Sequence, residues 1–166
     1  MALTRSIFSY KIKNNEKKER IGQDMSEKSK VIKIDGQELA GKAAELREAG
    51  ITGVIVRLDT LNHTRYHDIS EGKSLQTVID GINGAIDQQL AVRLDVAITE
   101  GFNDDEVLDF LQLTLQHRCD IVFLPTIDYG ILKEKMPALR KIDGTSGEVE
   151  MYKYPMAVGR IGFIKD

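Results

Sequence analysis

The sequence predicts an α/β fold built on an open parallel sheet of βα units, and three observations lead there. From Val31 onward the apolar pattern switches regularly between a strand-like period of two and a helix-like period of 3.6. Strands joined through helices must run parallel with right-handed crossovers. A closed eight-stranded barrel needs about 200 residues or more, so a chain of 166 leaves the sheet open unless a second chain completes it. With 42% hydrophobic and 30% charged residues the composition excludes disordered, collagen-like and disulfide-stapled classes. No stretch approaches the roughly 20 apolar residues of a membrane-spanning helix.

The elements follow in order. Val31–Asp35 reads as a strand. A helix over Gln37–Ala49 carries Leu39, Ala40, Ala43 and Leu46 on one stripe and stops at Gly50. Val54–Asp59 is the second strand, and a turn or short helix near His63–Ile69 leads to a long helix, Ser74–Gln89. There Leu75, Val78, Ile79, Ile82, Ala85 and Ile86 recur at spacings of three and four, and Gly81 and Gly84 allow close packing on the sheet. Val92–Ile98 is the third strand. Asn103 and Glu106 form the pattern of a capping box, in which each side chain satisfies a free backbone N–H, and the helix they open ends near Arg118. Asp120–Leu124 is the fourth strand, stopped by Pro125 because proline cannot donate to a ladder. Glu148–Tyr154 and Arg160–Ile164 read as two later short strands. The expectation is about four main parallel strands.

The net charge of −3 is unevenly spread, +5 over residues 1–33 and −8 over the rest. Residues 1–30 therefore read as a basic leader, either a solvated arm or, through the alternation of Phe8, Tyr10 and Ile12, an edge strand over Ser6–Lys13. Interleaved Glu16, Glu19, Asp24 and Glu27 argue against nucleic acid as its partner. The leader lacks the apolar core and cleavage site of a signal peptide, so cytoplasmic residence is expected. Residues 31–166 make the α/β domain.

Three strands repeat a basic, apolar, acidic triplet: Lys33-Ile34-Asp35, Arg57-Leu58-Asp59 and Arg93-Leu94-Asp95. Alternation puts each cation and its acid on one face, with Ile34, Leu58 and Leu94 on the other beneath the helices. Either the charged face holds a small anionic ligand through the forked donors of Arg57 and Arg93, or the charges pair across neighbouring strands and neutralise each other. Asp128 and Tyr129, just past the fourth strand, occupy the position where α/β folds place ligand-contacting loops. His63 and His67 lie one helical turn apart, a metal-ligand spacing that Asp59 or Asp68 would complete; the alternative is an exposed polar turn whose buried side carries Tyr66 and Ile69. No activated nucleophile and no Gly-Lys-Ser/Thr phosphate loop occurs.

The order of Leu58-Asp59-Thr60-Leu61, Gly101-Phe102-Asn103-Asp104-Asp105-Glu106, Tyr152-Lys153-Tyr154-Pro155 and Gly159-Arg160-Ile161-Gly162-Phe163-Ile164 resembles the MoaA family, the radical SAM GTP cyclases of molybdenum cofactor biosynthesis. The resemblance runs from about Val31 to Ile164. It implies a partial, TIM-barrel-like core of the radical SAM kind, with two iron–sulfur clusters, S-adenosylmethionine and GTP. It also implies departures at site positions. A serine of the family is Arg57 here, a lysine and an asparagine are Arg93 and Asp95, and an arginine before the Gly-x-Asn-Asp loop is Glu100. An Arg-Phe-Ile-Glu run is Val122-Phe123-Leu124-Pro125.

The family's CxxxCxxC segment precedes the matched region and its second cysteine set follows it, so neither cluster is expected in this chain. Its one cysteine, Cys119, matches no family ligand and reads as a buried, inert thiol. Arg57, Asp59, Arg93, Asp95 and Asp128 are the candidate cofactor-binding residues, no catalytic residue is assigned, and no cofactor is expected in the isolated chain. The first reading is a catalytically incomplete MoaA-like domain with a binding or scaffold role. The others are half of a split radical SAM enzyme completed by a cluster-bearing partner, and a small-anion-binding protein. Open sheet edges point to a homodimer or to capping by Phe8–Ile12.

Overall fold

The computed structural model describes residues 29–145 and 147–165. The basic leader, with its Ser6–Lys13 strand and the capping role of Phe8–Ile12, lies outside the described residues. Seven strands form one sheet in the order β1-β2-β3-β4-β7-β6-β5: β1 Val31–Lys33, β2 Gly53–Arg57, β3 Ala91–Val96, β4 Cys119–Phe123, β5 Arg140–Lys141, β6 Val149–Lys153 and β7 Ile161–Ile164. The first four are parallel neighbours linked through helices, as the periodicity predicts. The sheet is wider than four strands. β7 joins β4 in parallel, and β6 and β5 continue it antiparallel because each follows its neighbour through a short connection.

The helices are α1 Gly36–Leu39, α2 Ala43–Glu48, α3 His63–Ile69, α4 Leu75–Asp87, α5 Val107–Gln116 and α6 Tyr129–Glu134, with a 3-10 turn at Asp104–Glu106 before α5. Val54, Val56, Leu58, Leu94, Val96, Ile121 and Phe123 point to one side of the sheet and are buried with Ile79, Ile82 and Phe110 of the helices. Each such fully buried side chain contributes roughly 1.5–3 kcal/mol. Among the described residues no helix is long and apolar enough to cross a membrane.

Two expectations are corrected here. The single helix over Gln37–Ala49 is two helices, broken where Gly41 takes φ +75°, a left-handed backbone that an α-helix cannot contain. The same break explains Gly81, whose close approach is to a helix and not to the sheet: a Cβ there would lie 2.9 Å from the backbone nitrogen of Ala40. α4 thus packs on the end of α1, and Gly84 faces Ala43.

His117 terminates α5 and is 6% exposed. Burial pushes its imidazole below its ordinary pKa of about 6.5, since the charged form is desolvated. Below that pH the unfolded chain binds a proton that the folded chain refuses. Stability is therefore complete above pH 6.5 and declines as the pH falls toward the folded pKa. Urea midpoints at pH 7.5 and 5.5 should differ in the native chain and differ less in His117→Gln. Equal pH dependence in the two chains would remove His117 as the cause.

Candidate functional site

The candidate site is the sheet face opposite the helices, near the carboxyl ends of β2 and β3. Because side chains alternate, Arg57 and Asp59 emerge together, as do Arg93 and Asp95. Nε of Arg57 lies 2.7 Å from Oδ1 of Asp59, and Nε of Arg93 lies 2.6 Å from Oδ1 of Asp95. Pairing is thus within each strand, between residues two apart, and not across strands. The strands then join the pairs. Arg57 is the direct neighbour of Asp95 in the β2–β3 register, and Arg93 is the neighbour of Asp120 in β3–β4. Asp120 in turn holds Arg160, with Nη2 to Oδ2 at 2.6 Å.

The result is a charge-alternating row, Asp59–Arg57–Asp95–Arg93–Asp120–Arg160, running over four strands. The hydrogen bond from Arg57 to Asp59, aided by the nearby Asp95 charge, raises the guanidinium's pKa, so it stays charged throughout. Asp59 is further fixed because its Oδ1 accepts from the backbone N–H of Ala97 at 2.8 Å. Asp95 is 7% exposed, whereas the Arg57 side chain is more than half exposed. A ligand reaching this face therefore meets arginines whose Nε donors and charges are already matched by Asp59 and Asp95.

The third triplet does not join. Asp35 turns away to cap α1, accepting from Gln37 N–H at 2.7 Å, and Lys33 lies opposite the apolar Ile55. Its place in the row is taken by Asp120 and Arg160, which the triplet pattern misses because they lie forty residues apart. Only the register of Ile121 with Ile161 brings them together.

Asp128 caps α6, accepting from Gly130 N–H at 2.7 Å. Tyr129 packs toward the helix-covered side: its hydroxyl donates to the Phe123 carbonyl at 3.0 Å, and its ring lies 4.9 Å from that of Phe163. Neither is aimed at the charged row. His63 and His67 both lie exposed on α3, and His67 faces Asp68 at 3.7 Å. Ile69, expected on the buried side of that turn, is half exposed, while Tyr66 packs inward. Among the described residues no three His, Cys, Asp or Glu side chains come together as metal ligands. Cys119 is buried, and burial raises its thiol pKa, so it stays protonated. One protonated thiol does not fit an iron–sulfur cluster, and the residues of this stretch supply no other ligand of that kind.

The capping box is also corrected. Asn103 and Glu106 are both buried, but neither bonds the other's backbone N–H through its side chain. Instead Asn103 ties the loops after β2 and β3 together, donating to the carbonyls of Asp59 and Ala97 at 2.6 and 2.8 Å and accepting from Thr99 N–H at 2.7 Å. Glu106 accepts from the Thr60 hydroxyl and Leu61 N–H, each at 2.7 Å, and from Arg65 at 2.9 Å. Arg65 closes the knot with a two-pronged grip on Asp105, which holds that carboxyl below its ordinary pKa. These residues set the backbone from which Asp59 projects, and sequence reading found two of them for the wrong reason.

No protein-family model matches the chain. Its sequence is similar to that of a GTP 3′,8-cyclase from Peptoclostridium acidaminophilum, 34% identical over 152 residues, which cover 80% of this chain and 46% of the relative. It is likewise similar to GTP 3′,8-cyclase 2 of Pseudomonas aeruginosa, 27% identical over 165 residues, 87% of this chain and 50% of the relative. A shorter match, 39% over 100 residues, reaches 60% of this chain and 30% of the GTP 3′,8-cyclase of Listeria monocytogenes serovar 1/2a. The chain spans about half the length of the first two of these relatives.

Proposed function

We propose, from the premise that the chain is a partial match to the MoaA family of GTP 3′,8-cyclases, that it is a molybdenum-cofactor-biosynthesis-type α/β domain that binds or scaffolds and does not itself perform radical chemistry. The observation that carries this reading is the ionic row. Three cations and three acids neutralise one another on the open face, so no anionic ligand is needed to balance them. Inserting a charged cosubstrate would break contacts already made at 2.6–2.7 Å. The costly step is at Arg93–Asp95, where Asp95 is buried and would be left unmatched. The other two pairs are more exposed and contribute about 1 kcal/mol or less each.

The test is an anaerobic calorimetric titration of the full chain with S-adenosylmethionine and with GTP, beside an Arg57→Ser, Arg93→Lys, Asp95→Asn variant. The expected result is no binding by the native chain and recovered binding by the variant. Micromolar binding by the native chain would overturn this reading and favour the split-enzyme alternative, in which a cluster-bearing partner completes the reaction.

A further inference from the structure

A second polar feature lies at the opposite end of the sheet, where β3, β4 and β7 begin. A cleft of about 590 Å³ opens there, within the range of small-molecule sites. Ile86, Leu90 and Val158 contribute apolar wall, and Arg118, Asp120 and Lys153 contribute charge. Asp120 is already committed to Arg160, whose side chain and backbone N–H both donate to it. It is therefore unavailable to Arg118 or Lys153. Both of these cations are exposed, and among the described residues neither has an ion-pair or hydrogen-bond partner.

An independent observation extends the pattern. In the β5–β6 pair Lys153 stands directly opposite Arg140, also exposed and unpaired among the described residues. Directly opposed side chains share a face, and like charges so placed repel. The amino-terminal end of parallel strands is usually the stabilising end of an α/β fold. Three cations without acids stabilise nothing, and they stand in a chain whose net charge is −3. A cation cluster beside an apolar wall concentrates anions.

We propose that this cleft binds a small phosphorylated molecule with an apolar body and at least two negative charges. Arg118 and Lys153 hold the phosphate oxygens, Arg140 adds positive potential from beside Lys153 outside the lining, and the exposed Val158 meets the apolar part. Arg118 supplies a planar fork and Lys153 a point charge, the two usual ways of holding phosphate. The cleft meets the ionic row only at Asp120, the end of the row held by Arg160; Arg57 and Arg93 do not line it.

The probes are pyrophosphate and phenyl phosphate, titrated calorimetrically into the full chain at constant ionic strength, because exposed charges are screened by salt. Both should bind the native chain. Arg118→Gln with Lys153→Gln should weaken both by about tenfold or more, as expected for loss of charge-assisted hydrogen bonds. Val158→Ser should weaken phenyl phosphate alone. The Arg57→Ser, Arg93→Lys, Asp95→Asn variant should retain at least the native affinity for both probes, so that failure of the earlier reading leaves this one standing. No binding of either probe to the native chain would overturn the proposal. So would affinity unchanged in the Arg118 and Lys153 variant, or affinity lost in the Arg57 and Arg93 one.

Discussion

Replacing Glu106 by alanine should destabilise the chain by about 3 kcal/mol or more, the usual cost of removing one partner from a buried charged network. The carboxylate is 5% exposed and accepts from Thr60, Leu61 and Arg65 at once. Its loss strands a buried hydroxyl and a buried backbone N–H and removes one of the three side-chain hydrogen bonds of Arg65. Glu106→Gln should cost less, since one amide oxygen still accepts from the Leu61 N–H. Asp105→Asn should cost no more than about 1 kcal/mol, because its bond to Arg65 is at the surface. Urea unfolding of the three variants measures this order. A Glu106→Ala midpoint equal to that of Asp105→Asn would show that the knot is not a structural centre. The knot positions the loops after β2 and β3, so the same variant should also loosen the backbone at Ala97, whose N–H bonds Asp59.

Gly159→Ala should be at least as damaging. A Cβ at this position would overlap the carbonyl oxygen of Cys119, a backbone atom that cannot rotate away. The φ of Gly159 is one that any residue adopts, so the cost is steric alone. To relieve it, the start of β7 must move off β4. That move breaks the bond from Ile121 N–H to the Arg160 carbonyl at 2.9 Å and the bonds between Arg160 and Asp120. Overpacking of this kind costs typically 1–3 kcal/mol in a yielding core and more against backbone. We expect about 3 kcal/mol or more, or failure to accumulate folded chain. Gly144→Ala separates sterics from backbone conformation. Its φ is +76° with nothing near the added carbon, so it should cost only about 1 kcal/mol. Similar losses in the two variants would refute the clash.

The contrast between elements shows how far sequence reading reaches. α4 was legible nearly to the residue, because a thirteen-residue helix with one apolar stripe follows a single period. α3 was legible from its polar turn, and the four leading strands from their apolar runs. The break inside Gln37–Ala49 was not. Gly41 is tolerated by a helical pattern, and only the approach of Gly81 to Ala40 requires the turn. β7 beside β4 was not legible either, since strand order across long connections leaves no local trace.

The candidate site divides the same way. Two residues apart on a strand means one face, so the triplets placed each cation and its acid together on one face. The expected pairing was across strands, and the structure pairs Arg57 with Asp59 and Arg93 with Asp95 instead. The sequence by itself determined the α/β class, the parallel run of the first four strands and a charged face opposite the core, because each depends on periods that neighbouring residues already express. Only the tertiary structure decided which charges meet. Register set Asp120 beside Arg93 and within reach of Arg160, and the stacking of loops drew Asn103 and Glu106 away from their local cap. Those contacts join residues about 27 to 46 positions apart.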